Sequence, residues 1–330
     1  MSNNILIIKS KCGKYNFHID TETGIRVHTE RILQDNEYIR NNNSDDAFKE
    51  KEEKEKSFIE NKKTGFLQQK RDFQHVLGEL KQSTLHHLMK LYPLFRYGNE
   101  PILVDGKKAN TATIIEYVGL KKKSGTEFLK ELVDKQILKV IPGRGSSKYY
   151  APSGVFTVKG KFEIHDEWTV KIFQKKLQDI IEKVEKDIEN RNRSRKSKLE
   201  LYPLAILAAV LPYFHFQTFF LCKNYDEDII GIHQTVTEAL KANPKAIKHL
   251  PKNMLWGLAT GQELKKLGKY QRDKLDIYLK ILINAGAIAF WQGKKNLVLI
   301  NPDLVFVSTT LKDDSWYKVI KTLFQQSDEE

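Results

Sequence analysis

The chain has 330 residues, 40% of them hydrophobic, so it can bury a core and is long enough for two compact domains. A formal net charge of +13 and a pI of about 9.3 suit a polyanionic partner, and nucleic acid is the commonest one. Two distant cysteines, Cys12 and Cys222, exclude a multi-bridge disulfide framework and a cysteine-based zinc site. They point to a cytoplasmic protein, and residues 1–10 lack the order of a signal peptide.

Residues 1–35 read as a small β element. An apolar run at 5–8 is followed by Tyr15, Phe17 and Ile19 in alternation with polar residues, and by a turn at 21–24. Residues 36–63 are polar, with the charge-mixed stretch KEKEEKEKSF, and read as a flexible linker or a solvated helix. Apolar residues then return at helical spacing: Phe73, Val76, Leu77, Leu80, Leu85, Leu88 and Leu91.

Residues 101–160 have a recognisable order. A short strand is expected at 102–104. Thr111 caps a helix at 112–117, Gly119 makes a turn, and a second helix runs from about 121 to 135 with Phe128, Leu129, Leu132 and Val133 inside. Strands at 138–141 and 148–151 flank the turn-rich tip PGRGSS. Helix, turn, helix and hairpin make a helix-turn-helix with a wing, which sets a first domain at 64–165. Residues 166–198 follow as an amphipathic linker helix with Phe173, Leu177, Ile180, Val184 and Ile188 on one face and the basic end RNRSRKSK. That face suits packing on the chain's own domain as well as a homodimer seam or a spacer.

The second half, 199–325, repeats the first. Leu91, Tyr92, Pro93, Leu94 and Phe95 match Val210, Leu211, Pro212, Tyr213 and Phe214 at an offset of 119. About thirty extra residues, near 226–252, then raise the offset to 149–150. Gly119 falls on Gly268, helix 121–135 on 270–284, the tip near Gly143 on Gly293, and segment 151–156 on 301–306. Residues 201–222 carry no formal charge, which is membrane-span length. The matching stretch of the first copy holds His86, His87, Lys90 and Arg96, so the expectation is a buried helix and no membrane partner.

The second helix of such a unit presents its first residues to the major groove. In copy one these are Lys121, Lys122, Lys123, Ser124 and Thr126, with Lys130 one turn on and Arg144 and Lys148 in the wing. Cations at a helix start oppose the helix dipole, so an anion such as DNA phosphate is expected there. Residues 107–159 hold 11 Lys and Arg against 4 Asp and Glu, a net +7 and more than half of the total. Copy two offers Gln271, Arg272 and Lys274 on its helix and Lys294 and Lys295 in its wing.

No Walker A, His-Glu-x-x-His, His-x-x-Glu-His or His-x-His motif occurs. His86 and His87 are adjacent on a helix and point about 100° apart, a poor ligand pair. Tyr149 and Tyr150 read as wing-strand packing. The expectation is a non-enzymatic protein with no cofactor and no metal.

The helix, short strand, helix-Gly-helix, wing and closing segments at 151–156 and 301–306 resemble the winged-helix domains of Firmicute plasmid and phage replication proteins. Two such units joined by a helix are also similar to the Rep initiators of iteron plasmids. The resemblance covers 83–160 and 199–310, and departs from the initiators in the N-terminal extension and the insertion near 226–252. The resemblance implies two winged helices, and with the small N-terminal β element read from residues 1–35 the expected fold is helix-rich α+β. It also implies sequence-specific binding of double-stranded DNA as a replication initiator and contact with host replication proteins. A dimeric repressor, or an adaptor that grips a host protein through copy two, are the alternatives.

Overall fold

The structure, a computed structural model, describes residues 5–9, 15–20, 26–31, 65–71, 74–155, 157–158, 169–231, 234–291, 297–306 and 314–325. The chain divides into two compact units, Met1–Lys63 and Thr64–Glu330. The first holds an antiparallel meander of β1 (Ile5–Lys9), β2 (Tyr15–Asp20) and β3 (Arg26–Arg31). Ile8 stands opposite Phe17 and Leu6 opposite Ile19, so the apolar run and the alternating strand meet in register. The turn expected at 21–24 and the polar stretch 36–63 lie outside the described residues.

The second unit is helix-rich α+β. Its first half runs β4 (Phe66–Lys70), α1 (Gln74–Glu79), α2 (Gln82–Leu91), β5 (Leu103–Val104), β6 (Lys107–Lys108), α3 (Thr111–Val118), α4 (Lys122–Asp134), β7 (Leu138–Pro142), β8 (Lys148–Pro152) and β9 (Thr157–Val158). The second half runs β10 (Thr169–Phe173), α5 (Gln174–Asn192), α6 (Pro203–Val210), α7 (Val236–Ala242), α8 (Lys252–Thr260), α9 (Lys269–Asn284), β11 (Ile288–Phe290), β12 (Val298–Ile300), β13 (Val305–Phe306) and α10 (Asp314–Gln325).

The halves meet in one sheet of order β13-β10-β4-β9. At its centre β4 and β10 pair antiparallel, Phe66 opposite Phe173 and Lys70 opposite Thr169. Each half supplies one central strand and, as its outer neighbour, its own closing strand. Exchanging the halves leaves this order unchanged, which is local two-fold pseudosymmetry. Helices α2 and α6 pack on each other, and buried residues from Leu67 to Phe324 form a single core.

The repeat is visible bond by bond. After α2 and α6 the chain makes a 3-10 turn in each half, Tyr92–Leu94 and Leu211–Tyr213. Ile102 N–H donates to the Tyr150 carbonyl at 2.8 Å, and Leu221 N–H to that of Val298 at 2.8 Å. Ala109 N–H reaches the Ile102 carbonyl just as Leu250 N–H reaches that of Leu221. Most of the extra residues of copy two therefore lie within 224–247, which replace Asp105 and Gly106 at the tip of the small hairpin, and the rest precede and begin α9, rather than all lying near 226–252.

Three further expectations are corrected by these bonds. The left-handed residue that ends α3, Gly119 at φ 77°, corresponds to Gly261 at φ 70°, which ends α8; Gly268 is the residue that starts α9. Helix α9 has 16 residues against 13 in α4, an extra turn at its start. Ser153 N–H donates to the Ile137 carbonyl and Asn301 N–H to that of Ala287, so Ser153, not Ala151, matches Asn301. Their side chains agree, donating to the carbonyls of Gln136 and Gly286.

Residues 169–173, expected inside a helix, form β10, because their partners are strand residues 66–70. Helix α5 therefore starts at Gln174, and its apolar face (Leu177, Ile180, Ile181, Val184) is buried in the chain's own core. That burial rules it out as a dimer seam. All eight residues of α6 are buried and the chain turns at Leu211–Tyr213. Among the described residues no helix is long and apolar enough to cross a membrane.

Candidate nucleic-acid interface

Helix α3 is capped by the Asn110 side chain, which accepts from Thr113 N–H at 3.0 Å, rather than by Thr111. It ends at Gly119, where the positive φ suits glycine. Helix α4 then buries Gly125, Phe128, Leu129 and Leu132, one stripe of a 3.6-residue period. Gly125 lies against Ile115 of α3, and a methyl group there would come within 2.5 Å of Ile115 Cγ1. The two helices thus approach at a residue with no side chain.

Burying that stripe turns the other face outward. Lys121, Lys122, Lys123, Ser124, Thr126 and Lys130 are all exposed. Lys123, Thr126 and Lys130 share one face, with Glu127 as its acidic member. The start of α4 has no side-chain cap and no acid in its first turn. Among the described residues none of these lysines has an ion-pair partner. The positive end of the helix and three ammonium groups thus add at one place.

Strands β7 and β8 pair from Leu138 opposite Pro152 to Pro142 opposite Lys148. The tip is closed by Gly143 N–H to the Ser147 carbonyl at 2.8 Å, with Gly145 at φ 62°. Arg144 and Lys148 project from it, both exposed. In the β7–β8 hairpin Tyr150 is 6% exposed and its hydroxyl lies 3.1 Å from Thr111 Oγ1, while Tyr149 is half-buried.

Partly buried polar contacts hold this corner in place. Lys90 of α2 donates to the Val118 carbonyl at 3.1 Å, just before Gly119, and to Glu185 of α5 at 2.9 Å. His86 Nε2 lies 3.2 Å from the same carboxylate. Burial pushes the His86 imidazole down and that of His87 to about 3. Thr84 donates to Glu131 at 2.6 Å, tying α2 to α4. Among the described residues no cluster of His, Cys, Asp and Glu could hold a metal ion.

Copy two is arranged differently. Arg272 is exposed, while its guanidinium lies 3.4 Å from the Leu267 carbonyl. Gln271 and Lys274 are only half-exposed. Gln271 folds back over Gly268, and the Lys274 ammonium sits over the rings of Tyr270 and Tyr278 at 5.7 and 5.9 Å. Lys294 and Lys295 lie outside the described residues. A feature missed in the sequence is the hairpin of β5 and β6, whose Asp-Gly turn puts Lys107 and Lys108 on the surface. The Asp-Gly pair was its signal.

No protein-family model, curated protein or solved structure matches the chain.

Proposed function

We propose that residues 64–330 carry two winged helix-turn-helix copies and that the chain binds double-stranded DNA sequence-specifically through copy one. Helix α4 is its recognition helix and the β7–β8 hairpin its wing. The observation that carries this reading is the exposed set Lys121, Lys122, Lys123 and Lys130, without ion-pair partners among the described residues, at the uncapped start of the second helix. Phosphates would offset that charge, and Ser124 and Thr126 would face base edges. A wing arginine such as Arg144 suits a phosphate or a narrow minor groove.

Within this reading the chain serves as a replication initiator of a plasmid or phage, with copy one as its reading unit. Copy two supports a second role. With Gln271 and Lys274 turned toward their own chain, it suits gripping a host protein.

The test is selection of bound duplexes from a random pool at two salt concentrations, on the full chain and on the Lys121→Ala/Lys122→Ala/Lys123→Ala variant. The full chain is expected to recover a consensus, with affinity falling steeply as salt rises. The variant is expected to bind all duplexes more weakly, with a flatter salt slope. Salt-independent or absent duplex binding by the full chain refutes the proposal; unchanged binding by the variant refutes the assignment of α4.

A further inference from the structure

Copy one has a second basic hairpin beside the wing. Lys107 and Lys108 form the return strand β6, opposite Val104 and Leu103. The turn, Asp105 at φ 49° and Gly106 at φ 74°, has the two left-handed residues of a tight hairpin turn. Both lysines are exposed, and neither has an ion-pair partner among the described residues. The hairpin is not a loose loop. Ile102 N–H and the pairing of Asn110 with Tyr149 stitch its base to wing strand β8, and Asn110 caps α3 directly after it. Lys107 and Lys108 therefore stand on a hairpin whose base is tied to the wing strand and which leads directly into the helix that precedes the recognition helix. In helix-turn-helix docking that preceding helix crosses the DNA backbone.

Copy two makes the comparison that decides the chemistry. At the tip of the corresponding hairpin it carries residues 224–247 instead of two turn residues. Near its start stand Asp226, Glu227 and Asp228, all exposed. Lys223 and Lys248 stand where the hairpin strands enter and leave it, with Lys223 N–H bonded to the Lys248 carbonyl, and Lys248 is spent on Glu227 at 3.1 Å. The hairpin is thus short in copy one, with its lysines unpaired among the described residues, and long in copy two, where Glu227 pairs with the lysine that corresponds to Lys107.

We propose that Lys107 and Lys108 contact the phosphate backbone of the duplex alongside Arg144 and Lys148, and that copy two lacks this contact. This rests on the reading of copy one as a duplex binder. Phosphate contacts position a protein without reading sequence. The expected effect is therefore uniform.

The experiment measures the affinity of the full chain for its selected duplex and for a random duplex across a salt series. It compares wild type with Lys107→Ala/Lys108→Ala and with Asp226→Asn/Glu227→Gln/Asp228→Asn. Both variants change exposed side chains, and unchanged thermal unfolding checks that the fold is kept. The lysine variant is expected to lower the log–log salt slope by about two, roughly one per contact, and to weaken both duplexes by the same factor. The acid variant is expected to leave the salt slope unaltered. An unchanged slope in the lysine variant, with a salt-dependent wild type, overturns this hairpin assignment alone. A wild type without salt dependence overturns the duplex-binding reading beneath it.

Discussion

Replacing Gly125 with Ala tests the helix contact on which the interface is built. A Cβ at this position would lie 2.5, 2.7 and 2.9 Å from Ile115 Cγ1, Cγ2 and Cδ1. Ile115 is only 7% exposed, and a β-branched side chain in a helix has one strongly preferred rotamer, so it cannot swing clear. Two effects compete. Alanine favours a helix over glycine by about 1 kcal/mol. Overpacking a filled contact costs about 1–3 kcal/mol. The net expectation is a loss of about 1 kcal/mol, and the sign depends on Ile115. Ile115→Ala removes all three clashing atoms, so the cycle of two single variants and the double variant should show a favourable coupling of about 1–2 kcal/mol. Denaturant unfolding of the four proteins measures it. A Gly125→Ala chain stabilised by the full helix-propensity gain, with no coupling to residue 115, would refute the close approach of α3 and α4.

The remaining predictions concern buried groups. His86, His87 and His215 are held below their ordinary value near 6.5, mainly by burial, with His87 at about 3 and His215 at about 4. Unfolding lets them take protons, so their contribution is present above pH 6.5 and is lost as pH falls toward the folded values. The thermal midpoint should drop steadily from pH 7 to 4, and a flat profile would contradict their burial. Burial pushes the Cys222 thiol up to about 12. In a Cys12→Ser chain a thiol reagent should label Cys222 only as fast as the protein unfolds, and rapid labelling of folded protein would show an accessible thiol.

The parts of the fold written locally were legible in the sequence. Gly119 marked a helix end, and Phe128, Leu129 and Leu132 marked an inner face whose opposite side carries the lysines, so copy one's exposed residues followed from periodicity. Non-local pairing was not legible. Phe173 fits the helical spacing of Leu177, Ile180 and Val184 until its partner Phe66 in β4, about a hundred positions away, is known. The prolines and apolar residues of 151–156 and 301–306 look alike, yet the register of β11 on β12 is set by Ile288 opposite Ile300, which no local pattern encodes. Gln271 and Lys274 read as exposed groove residues. The extra turn at the start of α9 places them beside Gly268 and Tyr278 instead.

The two copies differ where they would meet a partner and agree where they meet each other. The paired central strands, the 3-10 turns after α2 and α6, and the backbone bonds joining Ile102 to Tyr150 and Leu221 to Val298 are common to both. The changes fall on the small hairpin, the helix-to-helix turn and the start of the second helix. Each of these could vary without disturbing the shared core, because each leaves and re-enters it at preserved bonds: residues 224–247 begin and end at the pairing of Cys222 with His249. The pseudosymmetry therefore belongs to the scaffold and not to the surfaces it presents. On the proposed reading the bound site would not need to be palindromic, since copy one meets the duplex through α4 while Gln271 and Lys274 of α9 are turned toward their own chain.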